Sequence, residues 1–402
     1  MPTHRLRRLA PATLLSLAVF LAPAGCGASF KRNPLPSALA GAAVIPGAPD
    51  ARTWADTDNV TTPDGERRLA TIVEQATASG LVDAPSHWLV LSGGGANGAY
   101  GAGLLVGWTE RGDRPQFSRV TGVSTGALIA PFAFLGPAYD DRMREVYTTV
   151  STKDIVRERG VLTALNSDAF TSTKPLQRLL AKHIDGELLD AIAAEHRRGR
   201  RLVIVTTNLD ALRPVAWDLG AVATSDAPNR VELARNILLA SASIPGAMPP
   251  VYFEVEAGGR RFDEMHVDGG ATAQLFTYAA GVDARAAIER LGIDAPTLYI
   301  IRNARLDPEW ETVRPRLGAI IGRTITSLIR TQGLGDLYQS YLLSQRDGFD
   351  FRLAYIPEDF DLEPAESFDP VYMTALFERG RAAAADGYPW ATAPPGYDPS
   401  DE

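Results

Sequence analysis

Residues His87–Gly126 read HWLVLSGGGANGAYGAGLLVGWTERGDRPQFSRVTGVSTG. His87–Leu91 is a short apolar run that stops at a glycine cluster, the pattern of a buried strand. Ala99–Thr109 reads as a helix. Phe117–Val123 is a second strand, and Thr125–Phe134 is apolar enough for a buried helix. Two strands, each followed by a glycine turn and a helix, predict an α/β layered fold with a mostly parallel sheet.

The flanks extend this pattern. Arg67–Ser79 places Leu69, Ile72, Val73 and Ala76 at helical spacing. Asp141–Val150, Ala169–His183 and Leu188–His196 read as helices. Arg201–Thr206 (RLVIVT) reads as a central strand with a partner around Arg213–Asp218. Val231–Ala242 is helical, Val251–Val255 a short strand, and Arg260–Val267 leads to Asp268. Thr297–Ile301 (TLYII) and Phe349–Tyr355 are further strands. Arg316–Gln332 is a long helical stretch with Gly318 and Gly322 on one side, and Pro370–Ala385 is a last helix. There is no internal repeat. No linker interrupts residues 65–387, so one domain is expected there, preceded by an irregular tether over 26–64 and followed by an acidic, Pro-rich tail over 388–402.

Two turns carry candidate chemistry. Gly122-Val123-Ser124-Thr125-Gly126 is a G-x-S-x-G between an apolar strand and an apolar helix, the setting of a nucleophile elbow. A helix N-terminus beneath Ser124 favours negative charge. The plain alternative is a strand–turn–helix joint with Ser124 as helix cap. Gly93-Gly94-Gly95-Ala96-Asn97-Gly98 also satisfies a dinucleotide-binding spacing. No Asp or Glu stands at the end of the second strand, where a ribose would need one, and no Lys is present for a phosphate loop. Backbone N–H donors for an oxyanion are the better use of this loop. Gly94 and Gly95 are the best donors, and Gly98 allows close helix packing.

A hydrolase of Ser-Asp-His order needs a late histidine, and none follows His266. The five histidines are His4, His87, His183, His196 and His266. Only His266, two residues before Asp268, is a candidate base. No pair has H-E-x-x-H spacing, so no catalytic zinc is expected. Asp268 stands in His266-Val267-Asp268-Gly269-Gly270. Two glycines after it let it approach another loop; the alternatives are a simple turn or the start of a helix over Ala271–Ala279.

These residues resemble the patatin-like phospholipase family. The resemblance is carried by Gly93–Gly98, Gly122–Gly126, Leu239-Ala240-Ser241-Ala242-Ser243-Ile244-Pro245 with Pro249-Pro250, and Asp268-Gly269-Gly270, in that order over roughly 87–303. It implies a three-layer α/β/α fold and a Ser-Asp dyad, with Ser124 as nucleophile and Asp268 as base. It implies Gly93, Gly94 and Gly95 as the oxyanion glycines and no cofactor. Asn97 stands where that family often has Arg or Lys, so a cation is missing there. Lipid or acyl ester hydrolysis is the expected activity. Acyl transfer to another alcohol, or a membrane-anchored lipoprotein with an idle dyad, are the alternatives. Thr125–Phe134 and Val231–Ala242 are expected to supply an acyl pocket, Met265, Val267 and Ile244–Val251 an apolar lining for Asp268, and Ser151–Asp168 a cover.

Composition bounds the partners. The chain has 402 residues and a net charge of -8, with no basic block, which argues against nucleic acid. Cys26 is the only cysteine, so no intrachain disulfide forms. Arg5, Arg7 and Arg8 precede an uncharged Leu9–Gly25, ending in Ala24-Gly25 before Cys26. That order reads as an export signal and resembles a bacterial lipoprotein signal, with lipid on Cys26. The expected location is the bacterial cell envelope. No stretch reads as an amphipathic cationic helix, so membrane attachment is expected through lipidation alone. Oligomeric state is left open.

Overall fold

The computed structural model describes residues 32–158, 168–308 and 310–397. The expected export signal, Cys26, half of the expected cover (residues 159–167) and the last residues of the tail lie outside these. Arg32–Glu402 forms one compact unit.

A nine-stranded sheet organises this unit. Its strands are β1 (Arg52–Trp54), β2 (His87–Leu91), β3 (Arg119–Val123), β6 (Arg201–Asn208), β7 (Arg213–Asp218), β8 (Val251–Ala257), β9 (Arg260–Asp268), β10 (Thr297–Arg302) and β11 (Asp350–Tyr355). A separate antiparallel pair joins β4 (Arg157–Glu158) to β5 (Thr171–Ser172). Helices of ten or more residues are α1 (Pro63–Ala78), α2 (Gly98–Arg111), α3 (Thr125–Leu135), α4 (Asp140–Thr149), α5 (Lys174–His183), α6 (Gly186–Arg197), α7 (Arg230–Ser241), α8 (Leu317–Asp347) and α9 (Pro370–Ala385).

The main path runs β1-β7-β6-β3-β2-β10-β11. The five strands from β6 to β11 are parallel. β7, β1, β9 and β8 join through antiparallel pairings. The sheet is therefore mixed rather than mostly parallel. The antiparallel part comes from two hairpins, β6–β7 and β8–β9, whose short connections cannot make a parallel crossover. Alternate residues of the parallel strands enter two cores. Leu89, Leu91 and Ile301 pack with α2, α3 and α9, whereas Val90, Leu298, Ile300 and Leu353 pack with Leu337 and Tyr341 of α8. Helices thus cover both faces of these strands.

Residues 32–55, expected within a tether, pack on the sheet. Pro34 bridges Asp263, Val44 bridges Glu256, and β1 pairs with β7. The described tail behaves likewise: Ala391 bridges Leu353 on the edge strand β11. The helix expected to end at Gln332 continues to Asp347, through Gly333 and Gly335, because Gly333 packs against Arg302 and Gln274. Among the described residues, no helix is long and apolar enough to cross a membrane.

Candidate active site

The sheet register brings the serine and the aspartate together. β6 pairs with β3 as far as Val205↔Val123. One residue further, β9 takes the same side of β6, with Thr206↔Asp268. Ser124 follows Val123 and Asp268 ends β9, so both arrive at one point on β6. Ser124 Oγ donates to Asp268 Oδ2 at 2.6 Å. Ser124 is partly exposed, and Asp268 is buried.

The turn at Ser124 is strained. Its φ of 54° is in the left-handed region, which costs a residue with a Cβ about 1 kcal/mol or more. Its glycines are sterically required. A Cβ on Gly122 would stand 2.5 Å from Gly126 O, and one on Gly126 would stand 2.4 Å from Leu91 O. Ser124 N–H donates to Ser241 Oγ at 3.0 Å, and Ser241 Oγ donates to Val205 O at 2.7 Å. Asp268 N–H donates to Ser243 O at 2.9 Å. The segment Leu239–Pro245 therefore holds both members of the pair. Its residues were expected to line an acyl pocket and the surroundings of Asp268, not to hold the backbone of either residue.

Asp268 Oδ1 also accepts from Gly270 N–H at 2.7 Å, within a short 3-10 turn, Gly269–Ala271; no helix covers Ala271–Ala279. Gly269 lets this turn lie against β6, since a Cβ there would meet Val205 O at 2.4 Å. Burial pushes the Asp268 carboxyl up to about 6, against the lowering effect of the bonds from Ser124 and Gly270. A carboxyl in this range changes its charge close to neutral pH.

The glycine loop lies beside Ser124. A Cβ on Gly93 would stand 3.4 Å from the Ser124 Cβ. Gly93 N–H is committed to Gln274 O at 3.1 Å, so Gly93 shapes the loop rather than donating into the site. Among the described residues, Gly94 and Gly95 N–H have no acceptor, and both residues are accessible. Gly98 packs directly on the Thr125 side chain.

Two supports of this loop carry no sequence signal. Asn303 donates from Nδ2 to Ser92 O at 2.9 Å and from its backbone to Ser92 Oγ at 2.8 Å; its Oδ1 accepts from Gly101 N–H. Gln274 accepts from Gly93, donates from Nε2 to Gly270 O, and has its own N–H capped by Asp336. Asn303 thus ties the start of the glycine loop to α2, and Gln274 ties the loop to the Asp268 turn. Asn97 accepts from Tyr372 on α9 and offers no charge to the site.

His266 is not the base. It is fully buried, with Nδ1 2.8 Å from Thr206 Oγ1 and Nε2 3.2 Å from Glu264. Trp217 Nε1–H already donates to Thr206 Oγ1, so the threonine hydroxyl donates to Nδ1, and Nε2 carries the proton toward Glu264. Burial holds the imidazole below its usual range, and it stays neutral at pH 7. Burial would raise Glu264, but bonds from His266 and Arg52 outweigh it and hold the carboxyl near 2. Thr206, opposite Asp268 on β6, thus anchors a structural network.

Residues 89–280 match the family model of patatin-like phospholipases. They form a patatin-like phospholipase domain. A search of curated proteins finds no match to the chain. Among solved structures, VipD from Legionella pneumophila is similar at 13% identity with a TM-score of 0.38, over 76% of this chain and 67% of that one. The patatin-like domain contains the elbow, the glycine loop, the Ser241 segment and the Asp268 turn. Asn303, which props the glycine loop, lies outside the matched range.

The two helices expected to line an acyl pocket bury most of their apolar side chains. α3 is packed core, with Ile129, Phe132 and Phe134 buried, and α7 buries Leu233, Ile237 and Leu238. Exposed apolar groups stand instead on the loop after Ser243: Ile244 is exposed, and Phe170 N–H donates to Gly246 O with its ring in solvent. A cavity of about 650 Å3 lies elsewhere, between α1 and the sheet, lined by Trp54, Leu69, Arg119 and Arg201 and not by Ser124 or Asp268.

Proposed function

We propose that the chain is a serine hydrolase of carboxylic esters of lipids, with Ser124 as nucleophile and Asp268 as its base. The observation that carries the reading is the 2.6 Å contact from a strained, accessible serine to a buried carboxylate with a raised pKa. Asp268 takes the hydroxyl proton as Ser124 Oγ attacks the ester carbonyl. The oxyanion is met by the unused N–H groups of Gly94 and Gly95, above the N-terminus of α3. Asp268 returns its proton to the leaving alcohol. Water then attacks the acyl-enzyme by the same proton path, giving the acid and free Ser124. Ile244 and Phe170 offer apolar contact for the acyl chain.

The test is hydrolysis of p-nitrophenyl esters of short and long acyl chains by residues 27–402. Ser124→Ala and Asp268→Asn are expected to remove turnover, by about 1,000-fold or more. The parent kcat/KM is expected to rise with pH through about 6, the range where Asp268 ionises. Full activity in Asp268→Asn would sink the dyad. Residues 1–25 are read as a lipoprotein-type export signal with Cys26 lipidated. Incorporation of labelled fatty acid that Cys26→Ala fails to abolish would remove that reading.

A further inference from the structure

The first half of α8 points its apolar side into solvent. Leu317, Ile320, Ile321, Ile325, Leu328 and Ile329 are each between 42% and 75% exposed. Their spacing of three and four places them along one face of the helix. Between 314 and 331 only Arg323 and Arg330 are half-buried: Arg330 donates to Leu306 O at 2.8 Å, and Arg323 pairs with Glu311, while the small and polar residues of this stretch are exposed as well. Burial begins only at Gly333. The exposed portion is about 24 Å long at 1.5 Å per residue. Trp310, 97% exposed, stands shortly before it. A solvated stripe of this kind on a folded protein marks an interaction surface.

Charge identifies the partner. Residues 310–332 hold Arg314, Arg316, Arg323 and Arg330 against one acidic residue, Glu311, which pairs with Arg323, in a chain of net charge -8. Arg314 and Arg316 are exposed at the start of the stripe. An aliphatic face with flanking cations and an interfacial tryptophan is what a helix needs to lie in the headgroup layer of an anionic bilayer. The helix is also rooted at the candidate site. Asp336, just past Gly333, caps Gln274 and Leu275, and Gln274 holds Gly93 of the glycine loop.

We propose that the exposed first half of α8, with residues 310–316 that lead into it, forms a docking surface that seats this protein on an anionic phospholipid surface, independently of any lipid on Cys26. It replaces the sequence-based expectation that no such helix exists. The proposal concerns binding and does not depend on Ser124 chemistry.

The test uses residues 27–402, which contain the compact unit, carrying Ser124→Ala so that lipid is not consumed. Sedimentation with phosphatidylcholine vesicles, with and without phosphatidylglycerol, measures binding. Binding is expected with phosphatidylglycerol and is expected to weaken as salt is raised. Ile321→Asp with Leu328→Asp is expected to weaken it by about tenfold or more. Arg314→Gln with Arg316→Gln is expected to reduce the preference for phosphatidylglycerol. Trp310 emission is expected to shift to the blue on binding, a change lost in Trp310→Phe. Urea unfolding with the parental midpoint and slope checks that the Asp pair leaves the fold intact. Equal vesicle binding by parent and Asp pair overturns the proposal. So does a parent that ignores vesicles, whether it is monomeric or forms a dimer that the Asp pair dissociates.

Discussion

Burial of the Asp268 carboxyl makes stability depend on pH. The folded carboxyl binds a proton more tightly than the unfolded chain, whose value is about 4. The native state therefore loses stability as pH rises from about 4 through about 6, and the loss persists above. Asp268→Asn removes this titration. It is expected to be more stable than the parent at pH 8, by on the order of 2 kcal/mol, while losing turnover. Urea unfolding at pH 4 and pH 8 checks this, and a stability gap that does not grow with pH would remove Asp268 as its source. Ser124 and Asp268 were legible because their flanking glycines are sterically required and stand beside them in sequence. Asn303 and Gln274 were not legible. Each works through hydrogen bonds to residues far along the chain, and neither type is unusual in a loop.

β1 shows how a segment of irregular composition becomes structural. The Arg52 side chain is 7% exposed and its guanidinium pairs with Glu264, which also accepts from His266. Removing one partner of a buried pair leaves the other charge stranded, at about 3–5 kcal/mol. Arg52→Ala is therefore expected to destabilise the fold by about 3 kcal/mol, read as a lower urea midpoint at unchanged slope. A change below about 0.5 kcal/mol would mean that the pair is solvated in solution. The segment before α1 looked like a tether because Pro, Gly and Asp set no period, and its pairing with β7, β8 and β9 is entirely non-local. α8 was misjudged for the opposite reason. Gly333 and Gly335 are helix-weakening in isolation, but the close packing at Gly333 keeps the helix going.

The C-terminal segment closes the molecule at its far edge. Trp390 packs against Trp108 and Tyr299 with ring centroids 4.9 and 5.0 Å away, and Ala391 exchanges two backbone bonds with Leu353. It covers part of the open side of β11, which would otherwise invite pairing with another chain. Trp390→Ala is expected to cost about 2 kcal/mol, less than a fully buried tryptophan because the ring is partly solvated. Truncation after Gly387 is expected to add aggregation, visible in light scattering. A truncated chain with parental stability and no aggregation would show the tail to be dispensable.

Periodicity and glycine punctuation were enough to read the α/β alternation, the elbow, the glycine loop and the Asp-Gly-Gly turn. These are local patterns, and each depends on neighbours within a few residues. The mixed sheet, the convergence of Ser124 and Asp268 on β6, the exclusion of His266 and the outward face of α8 required the tertiary structure. Each depends on which strand pairs with which and on which face of a helix finds a partner. Those contacts are settled by burial across the whole chain, and no local window records them.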